Sequence, residues 1–193
     1  MDVTDERRRT KGGKLLKAEF RKALMEKGIR KISVKELCRS AGLNRSTFYE
    51  NYASLQDLLY EVQRDYFRNI FTMLPPGVSF ASTAPAEDRL AVMRIVLKYH
   101  TEHRDELFAL LDNNSAGDFE TNISLFLKRE ILPPDCSKLD EYEFTYHFMG
   151  NLTAVITWLR ENRACDEEAF ASFLAGFGIR GGTDPHSERH HGY

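Results

Sequence analysis

The stretch KISVKELCRSAGLNRSTFYEN, residues 31–51, decides how the rest of the chain is interpreted. Ser33 is placed to cap a helix, and Glu36, three residues later, would complete a capping box. Apolar side chains then recur at helical spacing until Gly42, a residue suited to the positive φ that ends many helices. A second short helix is predicted over residues 45–51. The stretch therefore predicts two short helices joined by a tight turn.

The second predicted helix, RSTFYEN, is rich in hydrogen-bond donors and poor in apolar side chains. Asn44 is placed to cap it, and Phe48 is interpreted as its contact with the core. Such a helix makes a poor core element but suits the reading of base edges in a DNA major groove. The pattern therefore predicts a helix-turn-helix. The residues expected on its exposed side, as readers of bases and nearby backbone, are Arg45, Ser46, Thr47, Tyr49 and Asn51.

These residues resemble the DNA-binding signature of the TetR/AcrR family of bacterial transcriptional regulators. The shared pattern, S-V-x-x-L-C-x-x-A-G-L-N-R-S-T-F-Y-x-N-Y, runs from Ser33 to Tyr52 and is followed by Leu58-Leu59. The resemblance is close over roughly residues 10–60. Beyond them it is limited to length, helicity and a late Gly…Trp-Leu pattern.

The resemblance implies roles for individual residues. Thr47 and Tyr49 would touch bases and backbone, and Tyr52 would touch a phosphate. Leu55 is a departure, because the family commonly has a lysine there and one phosphate contact is then missing. Further phosphate contacts are predicted from Thr10, Ser33 and Lys11. Lys11 belongs to the segment Arg7–Lys11, which is interpreted as a basic arm, with a solvated tail as the equally weighted alternative.

The charge distribution separates a basic head from an acidic body. The head, residues 1–53, carries 14 Lys and Arg against 7 Asp and Glu, and the body, residues 54–193, carries 13 against 22. A protein that holds phosphates with one end only needs such an asymmetry. No secretory signal or membrane span is expected, and three widely spaced cysteines suggest reduced thiols in a cytoplasmic protein.

The rest of the chain is predicted to be helical, which makes the fold all-α. We expect a helix over residues 10–27 after a flexible start, and body helices over residues 55–74, 86–103, 104–114, 118–132, 139–163 and 166–179. Residues 1–53 would form the DNA-binding domain, residues 54–180 a helical domain for ligand binding and dimerisation, and residues 181–193 a disordered tail.

The last two helices carry apolar stripes that could pair with their copies in a two-fold four-helix interface. In the resembled family the last two long helices form the dimer. A monomeric core closed by the same helices is the alternative. The residues predicted for the interface are Phe148, Leu152, Val155, Ile156, Leu159, Phe170, Phe173, Leu174 and Phe177.

Sites for small ligands are less well defined. Members of the resembled family usually hold a small effector between the helices of the body. The residues chosen to line such a site have polar tips on apolar faces, although each also fits a plain core: Tyr66, Tyr99, His103, Phe126 and His147. His100, His103 and the His190-His191 pair lack partners at metal-ligand spacing, so no metal and no cofactor is expected. No phosphate loop or nucleophile motif is present, and no enzymatic activity is expected.

The sequence thus predicts a dimeric regulator that binds a palindromic DNA operator and represses transcription, with activation as the open alternative, under the control of an unidentified small-molecule effector. The alternative is a TetR-like protein-interaction module or coactivator that acts through a partner regulator. The Leu55 departure is the sequence feature that favours this alternative.

Overall fold

A computed structural model describes residues 3–75, 84–111 and 116–176, with residues 3–10, 116–118 and 120 described through their backbone alone. Within these residues the chain forms nine α-helices and no strand, which confirms the predicted all-α class. A short 3-10 helix, Ile29–Lys31, follows the first α-helix. The α-helices are α1 (Val3–Lys27), α2 (Val34–Ser40), α3 (Arg45–Asn51), α4 (Leu55–Met73), α5 (Ala86–Glu102), α6 (Arg104–Leu111), α7 (Ala116–Ile131), α8 (Lys138–Arg160) and α9 (Glu167–Gly176).

The first helix is longer than the sequence suggested. We expected a flexible segment before residue 10 and an opening turn weakened by Gly12 and Gly13. Instead the backbone of α1 is helical from Val3, and both glycines lie inside the helix and are buried. The two glycines are accommodated because α3 packs directly on α1 at these positions, as described below.

The predicted caps of α2 and α3 form only in part, because Ser33 caps α2 without the reciprocal bond from Glu36. The Ser33 hydroxyl accepts a hydrogen bond from the Glu36 backbone amide at 3.2 Å, whereas the Glu36 carboxylate accepts from Lys27 Nζ at 2.6 Å. Gly42 has a φ of 66°, the positive value that its position was expected to require. Asn44 stands at the N-cap of α3, but its side chain makes no capping hydrogen bond.

A single cluster of buried apolar side chains connects head and body within the described residues. It extends from Leu16 and Phe20 in α1 to Leu174 in α9. Helix α4 contributes the widest buried stripe, since its inward residues recur from Leu58 to Ile70. Fully burying each such side chain is worth about 1.5–3 kcal/mol. The head is therefore packed against the body through α1 and α4.

The apolar stripes predicted for a dimer interface mostly face the chain's own core. Leu152, Val155 and Leu159 of α8 are buried, as are Phe170 and Leu174 of α9. Phe148 and Ile156 are half-buried against the same core.

This corrects the expected placement, because helical spacing shows that a stripe is apolar but not which helix covers it. Phe173 is the exception, at 53% exposed. Phe177, the tail of residues 181–193 and most of the loop before α5 lie outside the described residues.

None of the helices in the described ranges combines the length and the apolar character needed to cross a membrane.

Candidate functional site

Helix α3 has one exposed side and one buried side. Arg45, Ser46 and Tyr49 are exposed, with 54% of Tyr49 accessible. Phe48 is fully buried in the core, as predicted. Its ring contacts that of Tyr49 edge-on at 5.3 Å between centroids. The exposed side therefore offers a guanidinium, a hydroxyl and a phenol on a helix that is anchored from behind.

Thr47 and Asn51 do not lie on this exposed side. Both were predicted to be exposed, and both are half-buried against α1. The Asn51 amide Nδ2 donates to the Thr47 carbonyl at 2.7 Å. The buried Gly12 and Gly13 allow this approach, because they place no side chain between the two helices.

Tyr52, the predicted phosphate contact, is also directed towards α1. Its hydroxyl donates to the Gly13 carbonyl at 3.4 Å. Burial, and then the carboxylates of Glu61 and Asp65, raise the pKa of Tyr52 to about 12. The phenol therefore stays protonated near neutral pH and remains a hydrogen-bond donor.

The other predicted phosphate contacts lie in α1 and at the start of α2. Lys11 and Ser33 are exposed, while the Thr10 side chain lies outside the described residues. Leu55, at the position where the family commonly has a lysine, is half-buried and packs against the core. Leu55 thus adds an apolar contact to the core at the start of α4.

An open depression of about 340 Å³ lies between the end of α3 and the start of α4. Its charged residues include Asp57 and Glu61, with Arg64 3.5 Å from the Glu61 carboxylate. Two carboxylates around one arginine make this side of the head unfavourable for a phosphate.

An ion cluster joins head to body. Asp65 of α4 lies 2.5 Å from Lys17 Nζ and 3.5 Å from Arg21 Nη2, both in α1, and accepts from Arg68 at 3.0 Å. Arg21 Nε is 3.1 Å from the Glu106 carboxylate of α6, an ion pair not aligned as a hydrogen bond. The cluster ties α1, α4 and α6 together at half-buried side chains.

The predicted ligand residues Tyr66, Tyr99 and His103 come together around His100. The Tyr66 hydroxyl is hydrogen-bonded to His100 Nδ1 at 2.8 Å, and both side chains are buried. The Tyr99 ring lies 5.1 Å from that of Tyr66 and stacks on His103 at 4.1 Å. Asn69 Nδ2 donates to the Tyr99 hydroxyl at 3.4 Å. The cluster is polar but internally paired.

The remaining two predicted ligand residues have other neighbours. Phe126 is buried beneath the Arg68 guanidinium, 5.0 Å from the ring centre. His147 is half-buried and meets the exposed ring of Tyr146 edge-on at 5.3 Å.

Sequence reasoning missed two buried polar residues of the body, His100 and Gln63. His100 was considered only as a metal ligand, although its spacing from Val92 and Val96 places it on the inward side of α5. Gln63 is buried and donates to the Leu110 carbonyl at 3.3 Å, and it accepts from Asn122 at 3.0 Å. Helical spacing could have placed Gln63 inside, since it lies four residues after Leu59 and four before Phe67, both in the buried stripe of α4.

Burial lowers the pKa of His100 to about 4, with a smaller contribution from His103. In the unfolded chain a histidine titrates near 6.5. As the pH falls below 6.5 the unfolded state takes up this proton first, so the free energy of unfolding decreases until about pH 4. We expect a loss of about 2 kcal/mol near pH 5 relative to pH 7.5. Urea unfolding at both pH values measures it.

The control for this prediction is His100→Gln, which keeps a polar partner for Tyr66 but does not titrate. Its unfolding free energy should fall less between the two pH values, by about the same 2 kcal/mol. Equal pH dependence in the two proteins would show that His100 is not the responsible group.

Among the described residues no three His, Cys, Asp or Glu side chains come close enough to hold a metal ion. A scan against protein-family models finds no match to the chain, and a search of curated proteins finds none either.

Proposed function

We propose that the chain is a TetR-like transcriptional regulator that binds a palindromic operator as a dimer and represses transcription. The observation that carries this proposal is the exposed side of α3. Arg45, Ser46 and Tyr49 present hydrogen-bond donors on a short helix fixed from behind by the buried Phe48. This α3 follows α2 through the turn at Gly42, in the order that a helix-turn-helix requires.

The charge distribution supports the same proposal. The exposed donors of α3 belong to the basic head, and the head is joined to an acidic body. Phosphate contacts supply most of the affinity of proteins for DNA, and base contacts supply the specificity. The resemblance of residues 33–52 to the TetR/AcrR signature implies the same function.

A randomised pool of duplex DNA tests the proposal directly. The purified protein should enrich sequences that share a palindrome with half-sites about one helical turn apart or slightly more. Binding to one enriched duplex should weaken by about 10³- to 10⁵-fold between about 50 and 200 mM salt if about 6 to 10 phosphates are contacted. A folded protein that enriches no sequence would instead favour the coactivator or protein-interaction alternative.

The dimer is proposed to form through the outer faces of α8 and α9. Tyr142 and Tyr146 of α8 are 66% and 73% exposed, and Phe173 of α9 is 53% exposed. At Gly150, also in α8, an added Cβ would meet nothing within 4 Å, so the chain itself does not need a glycine there. These faces would bring two heads to one operator, with the inward stripes left in each monomer's core.

Replacing Tyr146 or Phe173 by glutamate should weaken dimerisation by about 30-fold or more, because exposed aromatic residues are frequent anchors of interfaces. Sedimentation velocity at several protein concentrations measures the change. Met25→Glu is the matched control, since Met25 is 50% exposed on α1 in the head. Unchanged association in both aromatic variants would place the interface elsewhere.

The effector is proposed to bind in the body near Tyr66, Tyr99 and His103. It must bind the DNA-incompetent state more tightly by the same free energy by which it weakens DNA binding. Binding there would have to replace the internal hydrogen bonds of the cluster, since its tyrosine hydroxyls are already paired.

A further inference from the structure

Helices α1 and α3 meet at two adjacent glycines. Gly12 and Gly13 lie inside the 25-residue helix α1, and both are buried. A glycine inside a helix is less favourable than an alanine, because the glycine backbone loses more conformational entropy when the helix forms. Two in succession are therefore expected only where a side chain would not fit.

The distances show that an added side chain would be crowded at this crossing. A Cβ added at Gly12 would lie 2.9 Å from Thr47 Cγ2, closer than real Cβ contacts come. A Cβ added at Gly13 would lie 3.0 Å from Asn51 Oδ1 and 3.4 Å from the Tyr52 hydroxyl. Restoring ordinary contact at Gly12 would require the helices to separate by about 0.5–1 Å.

The α3 side of the crossing is stiff. Thr47 is β-branched, so its methyl group has few rotamers into which it can move. The Asn51 amide is held by the Thr47 carbonyl at 2.7 Å, and the Tyr52 hydroxyl is held by the Gly13 carbonyl at 3.4 Å. An added methyl group in α1 is therefore transmitted to the α3 backbone and not absorbed by one side chain.

The crossing lies away from the exposed donors of α3. Arg45, Ser46 and Tyr49 project to solvent, while Thr47 and Asn51 face α1. Hydrogen bonds to base edges tolerate only a few tenths of an ångström in length. The depth at which α3 is seated on α1 thus controls whether those donors reach bases.

We infer that Gly12 and Gly13 form a seat that positions α3 for DNA, so that Thr47 and Asn51 are positioning residues and Arg45, Ser46 and Tyr49 read the bases. This inference rests on the proposed DNA-binding function. It reassigns two of the five residues that the sequence analysis named as readers.

The first test is a pair of variants of the full-length protein. Gly12→Ala should fold but bind the selected operator at least 10-fold more weakly than the wild type. Adding Thr47→Ser removes the methyl group that Gly12→Ala would strike and keeps the hydroxyl. The double variant should recover to within about 3-fold of Thr47→Ser alone, because only the steric conflict has been removed.

The second test separates positioning from reading and does not depend on whether Gly12→Ala folds. Asn51→Ala and Ser46→Ala are each used to select sequences from a randomised duplex pool. Asn51→Ala should weaken binding to all selected sites by a similar factor and leave the preferred bases unchanged. Ser46→Ala should relax the preference at one or two base pairs.

The outcomes distinguish failure of the proposed DNA-binding function from failure of the positioning role of Gly12 and Gly13. If the wild type enriches no DNA sequence, the proposed function fails and the inference fails with it. If the wild type binds an operator but Gly12→Ala binds it equally well, or if Thr47→Ser restores nothing, the seat does not position α3. A changed base preference in Asn51→Ala would make Asn51 a reader and overturn its assignment.

Discussion

Replacing Tyr49 by alanine is expected to lower operator affinity by about 10- to 100-fold, because one base-reading side chain contributes about 1–3 kcal/mol of discrimination. Tyr49 projects from the exposed side of α3, with more than half of its surface accessible. Its ring contacts only the edge of Phe48 among the aromatic residues described, so stability should fall by at most about 1 kcal/mol. Fluorescence anisotropy with a labelled operator measures the affinity.

Two further variants show which part of Tyr49 contributes to the affinity and whether the loss is specific to this position. Tyr49→Phe removes the hydroxyl and keeps the ring, so the difference between phenylalanine and alanine reports the contribution of ring contacts. Met25→Ala, another exposed change in the head, should bind like the wild type. Wild-type affinity in Tyr49→Ala would mean that α3 is not the reading helix.

Phe48→Ala is expected to be the most destabilising of the changes considered, with a loss of about 3–5 kcal/mol in the free energy of unfolding. Phe48 is fully buried, and its ring packs against those of Tyr49 and Tyr52. Removing it leaves a cavity between α3 and the rest of the head. DNA binding should be lost through unfolding, in contrast to Tyr49→Ala.

The chain carries a convenient pair of probes for this prediction. Trp158 is the single tryptophan and is buried in α8, so its fluorescence reports the body, whereas circular dichroism reports all helices. Because one core cluster connects head and body, Phe48→Ala should shift both urea midpoints together. Unshifted midpoints would contradict the burial of Phe48, and a shift in circular dichroism alone would show that the head unfolds separately.

Local signals in the sequence predicted the helices well. The Ser33 hydroxyl caps α2, and Gly42 ends α2 with positive φ, because these contacts lie within a few residues of each other along the chain. Phe48 was correctly assigned to the core because its neighbours on α3 are polar. Residue type and spacing over a few neighbouring positions were sufficient for each of these predictions.

Contacts between distant segments were not predictable in the same way. The Tyr66 hydroxyl meets an imidazole 34 residues away, and Gly12 meets a threonine that no spacing rule relates to it. Propensity treated the two glycines as weak helix formers, whereas their small size is what the crossing with α3 requires. The stripes of α8 and α9 were likewise identified as apolar but assigned to the wrong neighbour.

Helix α4 is held in register by polar bonds to four other helices. Asp65 pairs with α1, Tyr66 with His100 of α5, and Gln63 with both the Leu110 carbonyl of α6 and Asn122 of α7. Sliding α4 along its axis by one turn, about 5.4 Å, would separate all of these partners at once. Each buried group left unpaired costs about 1–3 kcal/mol. Helix α4 therefore cannot slide by itself. It can move only together with the four neighbouring helices, or after all of these polar bonds have broken.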